Sequence, residues 1–411
     1  MTRYLTKMRA LDTEADSFWL RPRLRVRLLI RWLSRIETGC LTVAFPSGHR
    51  RVFGEPGASL QASLIIHDMR VVTRMIASGD IGLAEGYVAG EWDTPDLTKL
   101  LALGAANSGV LSDALAGSWA IRVLNRIRHA RRANTPAGSR RNIAAHYDLG
   151  NAFYRQWLDE SMTYSAAIFA RPAEPLPDAQ RRKYLRLARL LDFQPGDHVL
   201  EIGCGWGGFA EIAAAEFGCD VVCLTLSQEQ ASYARERMRQ AGIAEKVDIR
   251  LQDYRDVDGR FDKVVSVEMF EAVGEENWQT YFAVLDRCLK PGGRAALQSI
   301  TIDDALFGEY RQTPDFIQCY IFPGGLLPSP RAFESAVSEA GFRVADAYYF
   351  GQDYAETLRR WHALFEENWS AIKPLGFDEP FRRLWQYYLC YCEAGFDSGR
   401  IDVGQFLIER R

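Results

Sequence analysis

The segment HVLEIGCGWGGFAEIAAAEFG, residues 198–218, constrains the fold more than any other stretch. A β-rich run ends at Glu201-Ile202; Gly203, Gly205 and Gly207 make a turn, and a helical pattern begins at once. Glycine lets a backbone take positive φ and approach a ligand closely. Strand, glycine turn and helix in that order belong to open α/β sheets, where the ligand lies beyond the carboxyl ends of the strands. The spacing is E-x-G-x-G-x-G, and no Gly or Ala fits a pyrophosphate finger cleanly, which argues against a dinucleotide.

Around this segment the pattern alternates. Helices are expected at 179–192, 206–217, 228–241 and 276–289, and strands at 198–202, 220–226, 247–251 and 261–267. A turn at Lys290-Pro-Gly-Gly293 leads into a strand over 294–302. Strands spaced by helices imply a doubly wound parallel sheet. The N-terminal part reads differently. Residues 41–60 look like short strands around a Pro-Ser-Gly turn, and helical and loop signals alternate over 64–103. Thr94 precedes Pro95, a good first-turn residue of a capped helix. The loop-like ANTPAGS, 133–139, places a domain boundary near 135–140. The expected organisation is a smaller α+β domain over 1–135 and an α/β domain over 136–411.

Two blocks of six and seven arginines, at 21–35 and 121–141, contain no acid, although the whole chain carries a net charge of −3. The surface is therefore polarised. From Leu24 the first block reads as a helix, either docked on its own domain or lying in a lipid interface with its arginines on anionic head groups. Nucleic acid is not the expected partner, because the blocks lack interleaved stacking aromatics. No run of about 18 apolar residues spans a bilayer. Residues 1–20 carry Asp12, Glu14 and Asp16 where a secretory signal would be apolar. The eight cysteines form no C-x-x-C and read as reduced cytosolic thiols. The six histidines show no metal-ligand spacing, so no metal site is expected.

The glycine loop together with LKPGGR, 289–294, resembles the S-adenosylmethionine-dependent methyltransferases of the seven-stranded, Rossmann-like type. That resemblance implies Glu201, Gly203, Gly205 and Gly207 at the cofactor, with Glu201 orienting the loop or meeting the amino end of the methionine moiety. In such enzymes the second strand usually ends in an acid that binds ribose. Here it runs Val222-Cys-Leu-Thr225-Leu-Ser227-Gln-Glu-Gln230, so Thr225 and Gln230 are the polar candidates and Ser227 is a helix N-cap.

The departure narrows the family. HYDLGNAFY (146–154), LDESMTYS (158–165), LEIGCGWGG (200–208), LTLSQEQ (224–230), EMFEAVG (268–274), YIFPGGLLPS (320–329) and DYAETLRRW (353–361) resemble, in order, blocks of the cyclopropane-fatty-acyl-phospholipid synthases and mycolic acid cyclopropane synthases. The resemblance implies that Tyr164 and Ser165 close over the cofactor and that Asp253 and Tyr254 lie beside adenine. It implies a cis double bond of a phospholipid acyl chain as acceptor. Residues IHD (66–68) and EGYVAGEWDTPDL (85–97) resemble the extra domain of the phospholipid-acting members; with the two arginine blocks and such a substrate, the expectation is a membrane-docking N-terminal domain and a cytoplasmic enzyme attached peripherally to the inner face of the membrane. The helical segments 353–369 and 377–392 could line an acyl channel or form a homodimer contact.

The chemistry suits the residue types. An isolated alkene is a poor nucleophile and must be held in line with the methyl donor. Methylation leaves a carbocation that aromatic faces stabilise; Tyr164, Phe270, Tyr320, Phe322, Tyr354 and Trp361 in the matching blocks, and Phe169 just after one, are available. A base then removes a proton. The resemblance implies a bound bicarbonate held by a cysteine loop, a glutamate, a histidine and a tyrosine. Glu271 and Tyr354 match two of these. Ala166 replaces the cysteine, Gln298 stands for the histidine, Ala272 follows the glutamate, and Glu268 stands where glycine is frequent. Two outcomes stay open. Bicarbonate still binds and a cyclopropane forms, or Glu271, with Tyr354, takes a proton from another carbon and leaves a methylated alkene or a methylene branch. A desaturase of methylated chains and a catalytically silent lipid-binding homologue are the alternatives of another kind.

Overall fold

β-rich and helical runs between residues 198 and 302 fold where their spacing predicts them. In the computed structural model, which describes residues 22–111 and 149–411, the strands of this region are β5 (His198–Ile202), β6 (Asp220–Thr225), β7 (Val247–Leu251), β8 (Phe261–Val267) and β9 (Leu289–Ile302). They follow β1 (Cys40–Ala44), β2 (Arg50–Gly54), β3 (Gln61–Ile66) and β4 (Trp92–Asp93). The second arginine block and the expected domain boundary lie outside the described residues.

The chain divides into two units. The described part of the first comprises 22–111, Gln312–Ile321 and Trp369–Ser398; that of the second comprises the rest. The linear division at 135 therefore needs amending, because two later segments group with the N-terminal residues. In the first unit the sheet order is β2-β1-β3-β4. The helix Glu379–Asp397 ties into this unit through Arg383, whose Nε donates to the Tyr87 carbonyl at 2.5 Å and whose guanidinium lies 4.0 Å from the Tyr87 ring centre. Asp96, rather than the Thr94-Pro95 pair, caps the helix Leu97–Ala106 by accepting from the Lys99 amide.

The second unit holds a seven-stranded sheet in the order β10-β11-β9-β8-β5-β6-β7. β9, β8, β5, β6 and β7 run parallel, as the alternating pattern requires. β10 (Phe342–Tyr349) and β11 (Ile401–Arg410) close one edge antiparallel, β11 between β9 and β10. The Lys290–Gly293 stretch is not a separate turn: β9 begins at Leu289 and passes through it with a register shift against β8.

Period-2 alternation divides the core. Leu200, Ile202, Val264, Leu297 and Phe406 pack on one face with Phe270, Tyr281, Phe282 and Phe333. Val199, Val221, Val265, Ala296 and Leu407 pack on the other with Tyr184, Leu187 and Ala188 of the helix Leu176–Leu190. Three polar residues, Glu201, Gln298 and Gln405, occupy positions of that second face where the pattern calls for apolar side chains, and each is at most 2 % exposed. A buried polar group needs partners, and these lead to the site.

Candidate active site

The turn after β5 is built on positive φ: 84° at Gly203, 52° at Gly205 and 84° at Gly207. A Cβ at Gly207 would meet Met238 Cε at 2.9 Å, and one at Gly203 would meet Met269 Cγ at 2.8 Å. One at Gly205 would meet nothing within 4 Å, so this glycine keeps an open cradle. Glu201 is buried behind the turn, where desolvation pushes its carboxyl up to about 7. Its Oε2 accepts from Cys223 Sγ at 3.5 Å. At the end of β6 Thr225 Oγ1 donates to Gln230 Oε1 at 2.9 Å, and Ser227 caps the next helix as expected. Asp253 accepts from the Arg255 guanidinium at 2.8 and 2.7 Å, and Tyr254 packs on Tyr281. An open glycine cradle, a buried acid and a pair of polar side chains at the ends of β5 and β6 fit S-adenosylmethionine.

A second cluster lies at the ends of β8 and β9. Glu268, directly after β8, takes the left-handed conformation with φ 50°, uncommon for a residue with a Cβ. Its backbone N–H donates to the Gln298 carbonyl at 2.8 Å. Its Oε1 accepts from Ser165 Oγ at 2.7 Å, the Ala166 amide at 2.9 Å and Gln298 Nε2 at 2.7 Å. Its Oε2 accepts from Tyr354 Oη at 2.8 Å. Three of the groups that the resemblance assigns to a bicarbonate, namely the amide of Ala166, the side chain of Gln298 and Tyr354, thus serve a carboxylate of the chain itself. Bicarbonate does not fit beside it on those donors. The hydroxyl of Ser165, expected with Tyr164 at the cofactor, donates to Glu268.

The loop carrying these donors is pinned on both sides. Gln180 Nε2 donates to the Ser165 carbonyl at 2.7 Å, and the Ala167 amide donates to Thr357 Oγ1 at 3.1 Å. Ala166 and Ala167 are fully buried, which suits small side chains. Glu271 stands apart from the donor set: its Oε1 accepts from the Ile300 amide at 2.5 Å, and its buried Oε2 has no hydrogen-bond partner among the described residues. Desolvation, and then the neighbouring Glu268 carboxylate, push the Glu271 carboxyl up to about 8. Both effects favour its protonated form.

The aromatic residues sort themselves. Tyr164 has ring centres of Trp361 at 5.4 Å, Trp157 at 5.4 Å, Tyr154 at 5.5 Å and Phe322 at 6.5 Å. Tyr354 lies 6.1 Å from Trp361. Phe270 is core, Phe169 lies under Arg360, and Tyr320 belongs to the other unit, where it donates to Glu85. Tyr154, although it ends the matching block 146–154, and Trp157 are not among the aromatics expected from the sequence.

The model of the family described as mycolic acid cyclopropane synthetase matches residues 135–406. Tuberculostearic acid methyltransferase UfaA1 of Mycobacterium tuberculosis is 44 % identical over 85 % of this chain and 83 % of its own length. Cyclopropane-fatty-acyl-phospholipid synthase of Escherichia coli K12 is 36 % identical over 86 % and 89 %. The crystal structure of mycolic acid cyclopropane synthase CmaA1 complexed with SAH and CTAB, at 32 % identity, covers 66 % of this chain and 98 % of that one with a TM-score of 0.62. With the glycine cradle and the sheet order already in place, these matches make the chain a member of the mycolic acid cyclopropane synthetase family and an S-adenosylmethionine-dependent methyltransferase.

Proposed function

We propose that this methyltransferase alkylates a cis double bond of an unsaturated fatty acyl chain carried on a phospholipid, and that the Glu268 carboxylate removes the proton that ends the reaction. The observation that carries the reading is the convergence of Ser165, Ala166, Gln298 and Tyr354 on one carboxylate of the chain. S-Adenosylmethionine, when bound, supplies an electrophilic methyl group. Glu201, Gly203, Gly205, Gly207, Thr225 and Gln230 are the residues that would hold it. Methylation of the alkene leaves a cation on the adjacent carbon, and the rings of Tyr164, Trp361 and Tyr354 offer faces to stabilise it. A base fixed by four hydrogen bonds removes a proton from one defined direction. Bicarbonate has no part in this reading.

A branched rather than a ring product is favoured by the 44 % identical relative, which is named a methyltransferase. A phospholipid acceptor is favoured by the synthase from Escherichia coli, whose name specifies one. Docking on a bilayer is favoured by the helix Pro22–Leu33, which has no acid and exposes Arg23, Leu24, Arg27 and Arg31. No helix among the described residues is long and apolar enough to cross a membrane.

Lipid mass spectrometry after expression in a host with monounsaturated phospholipids tests the reading. A gain of about 14 mass units, the mass of one CH₂, supports it. Uptake of hydrogen by the product then identifies a methylene branch, and resistance to hydrogenation a ring. Unchanged lipids from a protein that binds S-adenosylmethionine would leave the silent lipid-binding homologue. Loss of hydrogen from an already methylated chain would mean a desaturase. Sedimentation with neutral and with anionic liposomes tests docking; equal recovery removes its electrostatic part.

A further inference from the structure

We infer that Arg186 and Gln405 are positioning residues that, through Gln298, fix a hydrogen-bond donor on Glu268. The inference rests on Glu268 being the base. β11 and β9 pair antiparallel with Gln405 directly opposite Gln298, so both side chains lie on one face of the sheet. The helix Leu176–Leu190 covers that face and brings Arg186. Both glutamines are at most 1 % exposed.

The hydrogen bonds run one way. Arg186 Nη1 donates to Gln405 Oε1 at 2.8 Å. Gln405 Nε2 donates to Gln298 Oε1 at 2.9 Å and to the Lys183 carbonyl at 3.2 Å. Gln298 Nε2 donates to Glu268 Oε1 at 2.7 Å and to Ser165 Oγ at 3.0 Å.

Chemistry alone dictates this direction. A guanidinium only donates and a backbone carbonyl only accepts. Gln405 lies between one of each, so a single amide orientation satisfies both. Its NH₂ must then face Gln298, which turns the Gln298 carbonyl toward β11 and the Gln298 NH₂ toward Glu268. A flipped Gln298 would set two acceptor oxygens against each other, and an unpaired buried acceptor is costly. The array also places a positive charge at one end and a carboxylate at the other, the sense in which linked amides polarise one another.

Arg186 is itself anchored from outside. Its guanidinium lies 4.2 Å from the Tyr348 ring centre and 3.6 Å from Asp346 Oδ2, both on β10. A side chain at the margin of the sheet thereby controls the polarity of a group at the reacting end.

The test uses the full chain, S-adenosylmethionine and vesicles of a cis-monounsaturated phosphatidylglycerol. Gln405→Glu keeps the size but cannot donate as a carboxylate, and Arg186→Met removes the initiating donor. Each is expected to lower kcat roughly 10-fold, with S-adenosylmethionine affinity by calorimetry within about 2-fold of wild type. Arg186→Lys, an obligate donor as well, restores most of the loss. In a Gln298→Ala background Gln405→Glu adds less than about 2-fold, because the path is already cut. Wild-type kcat in both Gln405→Glu and Arg186→Met, with Glu268→Gln inactive, overturns the relay and leaves the base assignment standing. Full activity of Glu268→Gln overturns the base assignment itself. Multiplicative losses in the double variant would mean a structural role only and would also overturn the relay.

Discussion

Tyr354 Oη donates to Glu268 Oε2 at 2.8 Å, from a helix, Gly351–Glu367, that begins 83 residues after the glutamate, as 351 − 268 gives. Hydrogen bonds to a charged group contribute about 1.5–3 kcal/mol. Tyr354→Phe removes that donor and keeps the ring beside Trp361. Its kcat should fall about 10- to 100-fold with KM for S-adenosylmethionine unchanged. Steady-state kinetics check this, and a KM effect alone would place Tyr354 outside proton removal.

Glu268→Gly should convert the enzyme to one that depends on bicarbonate. Glycine accepts the φ of 50° without strain, and the freed donors of Ala166, Gln298 and Tyr354 then face a small anion. Wild-type activity should be indifferent to bicarbonate, while the variant should be inactive in carbonate-free buffer and regain turnover on its addition. Thermal melts in carbonate-free buffer should show the variant less stable than wild type, because four donors lose their acceptor.

Glu271 sets a pH dependence of stability. Its folded-state value of about 8 lies above the unfolded value of 4.5, so its contribution is complete below about pH 4.5 and is lost as pH rises through 8. Glu271→Gln removes this loss. Denaturant titrations should find the variant gaining on wild type between pH 5 and 8 by an amount on the order of a few kcal/mol. Parallel curves over that range would contradict the raised value.

Lys183 acts in a different window. It is fully buried, its Nζ has no hydrogen-bond partner among the described residues, and desolvation lowers it to about 7. The folded state is therefore penalised in full below pH 7, and the penalty is relieved as pH rises from 7 toward the unfolded value near 10.5. Lys183→Met should stabilise the protein most at or below pH 7, and the advantage should shrink by pH 9 in the same denaturant assay.

Gly205→Ala separates folding from cofactor binding. The added Cβ meets nothing in the protein, so the folding cost is that of a left-handed alanine, about 1 kcal/mol. The Cβ occupies the cradle, so affinity for S-adenosylhomocysteine by calorimetry should weaken at least about 10-fold. Unchanged affinity would move the cofactor off this turn.

How far the sequence could be read depends on the range over which each feature is decided. The bounds expected for β7 and β8 are those observed, because five to seven consecutive residues carry their signal. β10 left no such trace: six of its eight residues are exposed and no period-2 apolar pattern survives. Glu268, Glu271, Gln298 and Tyr354 are reachable by resemblance as parts of one anion site, but that Glu268 itself takes the donors is not. That Glu268 turns inward follows from a left-handed φ that no local pattern announces. Gln405 and Arg186 went unread for a related reason. A glutamine within VGQFLI looks like the solvent side of an alternating strand until β11 is known to lie inside the sheet.

The placement of β11 bears on how the molecule is made. It follows every other described strand in chain order, yet it is inserted between β9 and β10. During synthesis β9 and β10 cannot acquire their shared neighbour until residues 401–410 have left the ribosome. The emerging chain therefore carries two strand edges that must be kept from pairing with other chains. The Gln405 contacts that orient Gln298 therefore form only after both strands flanking β11 have been made.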